Sequence, residues 1–346
     1  MRKSSPGETM SQTATDKPHQ DLKTLPPNGY VDGVYSIINP QLGTTRAGKP
    51  FLKCLLRDAS GEVAARQWTV DENAFPDIQA AGFVWIAGHT QVYNEQVQII
   101  LEQIKPVEVS DEEIAKLLPT TSQNIDEMFN EVTALLESVQ HPAMQNLAQT
   151  YLNDEEMMNR FKRAPAAMSL HHAWIGGLLE HTLQLMKLAD RMLPLYPQLN
   201  RDIVMMGLFL HDLGKVYELS WEKGFDYTED GNLVGHIVRG TIVLQIKAAM
   251  AAKQGEKLPG PALRVLQHII LSHHGVPEFG AAKVPATPEA IFISQLDNLE
   301  AKTTMALTHA RKDEAGTVES AAHFTDKIWA LDTRLYRPDP LLAEEL

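Results

Sequence analysis

The chain has 346 residues, 44% of them hydrophobic and 22% charged, so it can bury two ordinary cores and is not a low-complexity or fibrous protein. A net charge of −13 excludes nucleic-acid binding by bulk electrostatics and leaves only local grooves for that purpose. No apolar run approaches the roughly 20 residues of a membrane helix, and the single cysteine, Cys54, excludes an internal disulfide. Together with a polar leader over residues 1–27, read as disordered and lacking an apolar signal core, these features predict a cytoplasmic protein.

From Gly29 to Val107 the pattern predicts strands at Tyr30–Ile38, Phe51–Arg57, Val63–Val70, Phe83–Thr90 and Gln96–Ile104, with a short helix near Asp71–Ala80. Turn chemistry separates them, as in Ala47-Gly48-Lys49-Pro50 and Asp58-Ala59-Ser60-Gly61. Five strands in about 80 residues fit a small Greek-key barrel of OB type, with an SH3-like barrel or small sandwich as the alternative. Between Asn28 and Val107 there are six Lys/Arg and eight Asp/Glu, so any strand binding here rests on stacking and a few cations. The pool is Tyr35, Phe51, Trp68, Trp85 and Tyr93 beside Arg46, Lys49 and Lys53, with Arg46 and Lys49 preferred as loop residues.

Past Pro106 the period becomes helical: Asp111–Leu118, Asn124–Gln140, His141–Leu152 and Asp154–Lys162 carry apolar residues three to four apart. The expected divisions are the leader 1–27, a barrel 28–107, a helical connector 108–162 and an all-α domain 163–340. The apolar faces between 111 and 162 allow a homo-oligomer, and packing within the chain explains them as well.

Eight of the 13 histidines lie between His171 and His274. His181 shares a helical face with Trp174, Leu178, Leu185 and Leu188, and His211-Asp212 ends the apolar run Ile203–Leu210. Asp297 lies one turn after Ile293 on a helix expected to begin with Thr287 as cap and Pro288 at its first position. One inward histidine is ordinarily a satisfied core residue. Four inward His/Asp groups are costly to bury without partners, and a divalent ion satisfies them together. The donor types suit Mn²⁺, Fe²⁺, Co²⁺, Ni²⁺ or Zn²⁺.

His236 and His273 suggest a second ion, with Asp212 bridging the two. His273 is preferred over His274 as a buried ligand because adjacent helical positions differ by about 100°; His274 is left at the rim with His172 to meet substrate. His268 is expected to be structural or exposed. Gly214 reads as a helix C-cap that brings Lys215 near the ligands as a cation for phosphate; Arg239 is a second candidate for that role.

His181 … His211-Asp212 … Asp297 resembles the signature of the HD superfamily of metal-dependent phosphohydrolases. Ala164-Pro165-Ala166-Ala167, Gly176–Thr182, Leu271–Gly275 and Asp297–Lys302 resemble more narrowly the YhaM family of 3′→5′ exoribonucleases, over about residues 27–340. That resemblance implies an OB domain ahead of an HD domain, metal ligation by His181, His211, Asp212 and Asp297, Mn²⁺ as the favoured ion, and single-stranded RNA as substrate, with single-stranded DNA as a further candidate. Glu300 departs from the Asp more often expected there. The segment after His274 lacks the Gly-Tyr-Pro motif of cyclic-di-GMP phosphodiesterases. The competing readings are an HD phosphohydrolase of mononucleotides or cyclic nucleotides with a regulatory barrel, and a non-enzymatic strand binder.

Overall fold

A computed structural model describes residues 19–45, 47–93, 96–110, 113–114, 117–168, 172–222, 224–311, 323–339 and 341. They divide into two compact units, Met1–Leu118 and Pro119–Leu346.

The first unit is a closed five-stranded barrel of OB type, in the order β1-β2-β3-β5-β4. Its strands are β1 (Tyr30–Thr44), β2 (Pro50–Arg57), β3 (Glu62–Gln67), β4 (Phe83–Tyr93) and β5 (Gln96–Val107), with α1 (Phe75–Ala80) between β3 and β4. All pairings are antiparallel except β3 with β5, where Ala65 faces Ile99 in parallel register. Period-two alternation turns Leu52, Cys54 and Leu56 of β2 inward, against Val31, Tyr35, Ile86 and Ile99. β1 runs six residues beyond its expected end at Ile38. Asn39-Pro40 does not stop it, because the pairing with β2 shifts register between Ile38 and Gln41 and Asn39 takes a positive φ of 49°.

The leader expectation needs correction from residue 19 onward. Leu22 and Leu25 are buried in the barrel core, and the backbone N–H of Leu22 donates to Asp58 Oδ2 at 2.9 Å. Residues 1–18 lie outside the described set. Asp58 also accepts from His19 at 2.9 Å, from Ser60 Oγ at 2.6 Å and from the Gly61 N–H at 3.0 Å. Burial raises its pKa, but these bonds outweigh burial and hold the carboxyl at about 2. A depressed folded-state pKa contributes stability above the ordinary carboxylate value, and that stability is lost as pH falls from about 4 toward 2. Asp58→Ala should therefore lower barrel stability by about 2 kcal/mol at neutral pH, with a smaller difference at pH 3; equal melting curves at both pH values would exclude this role.

The second unit is helical. Its elements are α2 (Ile125–Glu137), α3 (Pro142–Leu152), α4 (Glu155–Arg163), α5 (Gly177–Met192), α6 (Arg201–Leu210), α7 (Lys215–Glu218), α8 (Glu229–Leu233), α9 (Gly235–Gln254), α10 (Gly260–Ser272) and α11 (Pro288–Ala310), with a small β6–β7 pair (Leu219–Ser220, Asp226–Tyr227). The expected connector is divided. Residues 108–118 group with the barrel unit, whereas α2–α4 belong to the helical unit. The reason is burial: Val132, Leu136, Leu147 and Phe161 are sealed from solvent, and Tyr151 and Phe161 both meet Phe209 of α6 edge-on. These apolar faces are satisfied inside the chain. Of the expected helix Asp111–Leu118, residues 111–112 and 115–116 lie outside the described set. Among the described residues, no helix is long and apolar enough to cross a membrane.

Candidate metal centre

Six helices deliver the site. α5 brings His181, the end of α6 brings His211 and Asp212, α7 starts with Lys215, α9 brings His236, the end of α10 brings His273 and His274, and α11 brings Asp297 and Glu300. α11 begins as its sequence predicts, the Thr287 side chain accepting from the Ala290 N–H at 3.1 Å with Pro288 at the first position.

Asp212 sits at the middle, buried, with its two oxygens facing different histidines. Oδ2 lies 3.8 Å from His181 Nε2 and 3.6 Å from His211 Nε2. Oδ1 lies 3.5 Å from His236 Nε2 and 3.3 Å from His273 Nε2. Asp297 Oδ1 adds a carboxylate 3.3 Å from His181 Nε2. Ligand atoms of Asp212, His236, His273 and His274 lie within 4.8 Å of one another, as do those of His181, His211 and Asp212.

The tautomers all point one way. His211 Nδ1 lies 2.7 Å from Leu208 O, His273 Nδ1 2.8 Å from Ile270 O, and His274 Nδ1 2.7 Å from Phe279 O. A carbonyl can only accept, so each Nδ1 carries the proton and each Nε2 lone pair is left for the centre. Carboxylates do the same for the remaining two, Glu300 Oε2 at 2.7 Å from His181 Nδ1 and Glu218 at 2.9 Å from His236 Nδ1. Nε2 of His211, His236 and His273 and Oδ1 of Asp212 are buried and make no hydrogen bond among the described residues. Leaving four such atoms unsatisfied is strongly unfavourable, and a divalent metal resolves all of them. The residues fit such an ion.

Electrostatics agree with that fit. Burial pushes His211 and His274 down to about 4, so both are neutral near pH 7 and ready to donate lone pairs. Burial also pushes His181 down, but its bonds to Asp297 and Glu300 outweigh this and raise it to about 10, so this ring holds a second proton that an ion at Nε2 would have to displace. Burial opposes ionisation of Asp212, yet Lys215, His211 and His273 hold it well below the ordinary range.

The outcome for each expected residue is specific. His181, His211, Asp212, His236, His273 and Asp297 are brought together. His274 joins them instead of staying at the rim, because α10 stops at Ser272 and the following residues no longer obey helical spacing. Lys215 Nζ lies 2.7 Å from Asp212 Oδ2. It arrives there by another route than the one expected: Gly214 is right-handed (φ −60°), not a left-handed cap, and a Cβ there would sit 2.1 Å from His236 O. The glycine is needed for close approach of α9. Arg239 must be corrected, since its guanidinium is paired with Asp230 in α8 through Nε at 2.8 Å and through one terminal nitrogen, a bidentate geometry that already gives it a carboxylate partner. His172 is also corrected: it is buried, with its ring 5.6 Å from that of His181 and Nε2 2.7 Å from Glu300 Oε1, so it supports the centre through its neighbours. His268 accepts from the Ala286 N–H at 2.8 Å, a structural bond. Glu218 was not foreseen; it orients His236, and an acid near a histidine helix gives no distinctive pattern.

In the barrel, Tyr35 is core, which removes it from the stacking pool, whereas half-buried Trp85 donates its indole N–H to Asp32 at 2.9 Å and has Lys105 over its ring at 5.7 Å. Phe51 and Trp68 lie with ring centroids 5.3 Å apart, and the Arg66 guanidinium covers Trp68 at 5.8 Å and Tyr93 at 5.6 Å. Trp68 and Tyr93 are half exposed. Lys49 is exposed in the β1–β2 turn, and Arg46 lies outside the described residues.

A closed barrel ahead of a helical His/Asp centre defines an HD-domain protein, and the family model described as HD domain matches residues 178–302. The 3′-5′ exoribonuclease YhaM of Listeria innocua serovar 6a is 34% identical over 301 residues, covering 86% of this chain and 91% of that protein. YhaM of Listeria monocytogenes serotype 4b matches to the same extent, 34% over 301 residues, 86% and 91%. Among solved structures, the second OB-fold domain of replication protein A from Methanococcus maripaludis aligns at 16% identity and TM-score 0.22, over 27% of this chain and 98% of that one. The chain belongs to the YhaM family of 3′-5′ exoribonucleases.

Proposed function

We propose that this protein hydrolyses single-stranded RNA from its 3′ end, one mononucleotide at a time, in the cytoplasm, and that single-stranded DNA is a further substrate. The observation that carries this reading is the set of four imidazoles whose Nε2 atoms face the two oxygens of Asp212, with a ring nitrogen of His274 grouped beside them. His181, His211, Asp297 and Asp212 Oδ2 would hold one divalent ion; His236, His273, His274 and Asp212 Oδ1 would hold a second. Mixed imidazole and carboxylate donors without thiolate suit Mn²⁺. Divalent ions in such a site lower the pKa of water and neutralise charge on a phosphoryl oxygen during in-line displacement.

The remaining residues have positional tasks. Lys215 is a buried cation beside Asp212 and would stabilise negative charge on the phosphoryl group as the P–O bond to the shortened chain breaks. Glu300 and Glu218 fix the imidazole tautomers. In the barrel, Phe51, Trp68, Arg66 and Tyr93 form a stacking surface for unpaired bases. Trp68→Ala should weaken binding of single-stranded RNA by about 1–3 kcal/mol, read by fluorescence anisotropy with metal chelated; unchanged affinity would remove the barrel face from the substrate path.

The direct test is incubation with 5′-labelled and 3′-labelled single-stranded RNA, with Mn²⁺ and with chelator. The reading expects metal-dependent mononucleotide release from the 3′ label and a shrinking ladder from the 5′ label. Intact RNA alongside hydrolysis of a mononucleotide or cyclic nucleotide would replace it with the small-substrate reading.

A further inference from the structure

A groove of about 580 Å³ runs along α11 in the helical unit, lined among others by Asn298, Leu299, Lys302, Leu307, Arg311 and Tyr336. Its lining on α11 runs from Gln295 to Arg311 and includes Asn298, the residue after the cluster carboxylate Asp297. Lys302 and Arg311 are exposed, and neither has an ion-pair partner among the described residues. No carboxylate is found among the described residues lining it, in a chain with 44 Asp/Glu against 31 Lys/Arg. Among the described residues, the charged side chains lining this groove are therefore cations, against the composition of the molecule.

The groove also has flat apolar surface. Tyr336 closes one side, half exposed, with its ring 5.4 Å from that of Phe324, which in turn lies under the Arg334 guanidinium at 5.8 Å. Leu299 and Leu307 are half exposed on α11, eight residues apart and thus on one face. Cations spaced along an apolar and aromatic trough are what a single nucleic-acid strand requires: phosphates on the cations, bases on the flat surface.

We infer that this groove binds the stretch of single strand upstream of the nucleotide being removed, with phosphates on Lys302 and Arg311 and bases against Leu299, Leu307 and Tyr336. The inference rests on the exonuclease reading and adds the track by which the strand leaves the metal centre. It makes the helical unit itself a strand-binding body.

The test is equilibrium binding of a fluorescein-labelled 16-nucleotide single-stranded RNA to the full chain in EDTA, across a salt series. Lys302→Gln with Arg311→Gln should weaken binding at least about tenfold at low salt and reduce the slope of log affinity against log salt by about 1.4, as two lost phosphate contacts demand. Tyr336→Ala should weaken binding with the slope unchanged, since stacking releases no counterions. Parental affinity and slope in both variants would overturn the inference. So would light scattering showing a parental dimer that the double variant splits, since a second copy would then fill the groove. Failure of the exonuclease reading shows separately, as intact 5′-labelled RNA with Mn²⁺ present, whatever the binding curves give.

Discussion

Asp212→Ala is expected to give a protein that binds no divalent ion at the paired site and degrades RNA at least about 10³-fold more slowly, about 4 kcal/mol of transition-state stabilisation. Both oxygens of Asp212 are in use, one toward His181 and His211 and the other toward His236 and His273. Removing them separates the two halves and leaves neither with a complete donor set. The substitution also strips Lys215 of its carboxylate partner at 2.7 Å in a buried place, and an orphaned buried charge costs about 3–5 kcal/mol. A fall in melting temperature is therefore expected together with the loss of activity. Lys215→Met in the Asp212→Ala background separates the two effects: it should recover stability without recovering metal content or turnover. Metal content by elemental analysis decides the matter. Full metal loading, or parental turnover, in Asp212→Ala would sink the assignment of this cluster as the catalytic centre.

The fold was largely legible because its two periods are strong. Alternation gives the five strands of the barrel, and three-to-four spacing gives the helices from Asn124 onward. What failed did so for local reasons. Asn39-Pro40 reads as a stop, and only the pairing partner shows that a bulge absorbs it. Leu22 and Leu25 sit in a polar leader, and their burial depends on Asp58, 36 residues after Leu22, capturing the Leu22 N–H. At the centre, the ligand residues are visible from residue type and spacing, since His-Asp adjacency at the end of an apolar helix is distinctive. Helical geometry misplaces His274 because the helix ends one residue before His273. Arg239 fails for a complementary reason: its position after His236 is favourable, but Asp230 on the preceding short helix captures it, and an ion pair between two helices has no signature in spacing. Carboxylates that orient ligands are the hardest to see. Glu218 belongs to a four-residue helix, where nothing in its surroundings distinguishes it from a surface acid; Glu300 stands out only through its place in the Asp297–Lys302 motif, which does not reveal that it orients His181.

Glu300→Gln should lower metal affinity about 10- to 100-fold without unfolding the protein. Glu300 is buried and takes two imidazole contacts, His172 Nε2 on Oε1 and His181 Nδ1 on Oε2, each at 2.7 Å, with Thr304 Oγ1 donating to Oε1 at 2.8 Å. Burial raises its pKa, but the bonds from His172 and His181 outweigh burial and hold it well below the ordinary range, so it is the anion that orients both rings. An amide has one accepting oxygen and one donating nitrogen. If the oxygen keeps the His172 proton, the amide nitrogen faces His181 Nδ1 and requires that atom to accept. The His181 proton then moves to Nε2, the atom that lies 3.3 Å from Asp297 and must be a lone pair to ligate metal. The variant thus preserves shape and volume while installing the wrong tautomer. Glu300→Asp keeps the charge on a shorter arm and should recover most of the affinity, which a residue needed only for packing would not show. Titration of the chelated protein with Mn²⁺, followed by isothermal calorimetry, reads both variants. Equal affinities for parent and Glu300→Gln would remove Glu300 from the metal centre and return it to the helix core; weakened binding in Glu300→Gln with recovery in Glu300→Asp would establish that the charge on this buried carboxylate, passed through His181, sets how tightly the centre holds its ion.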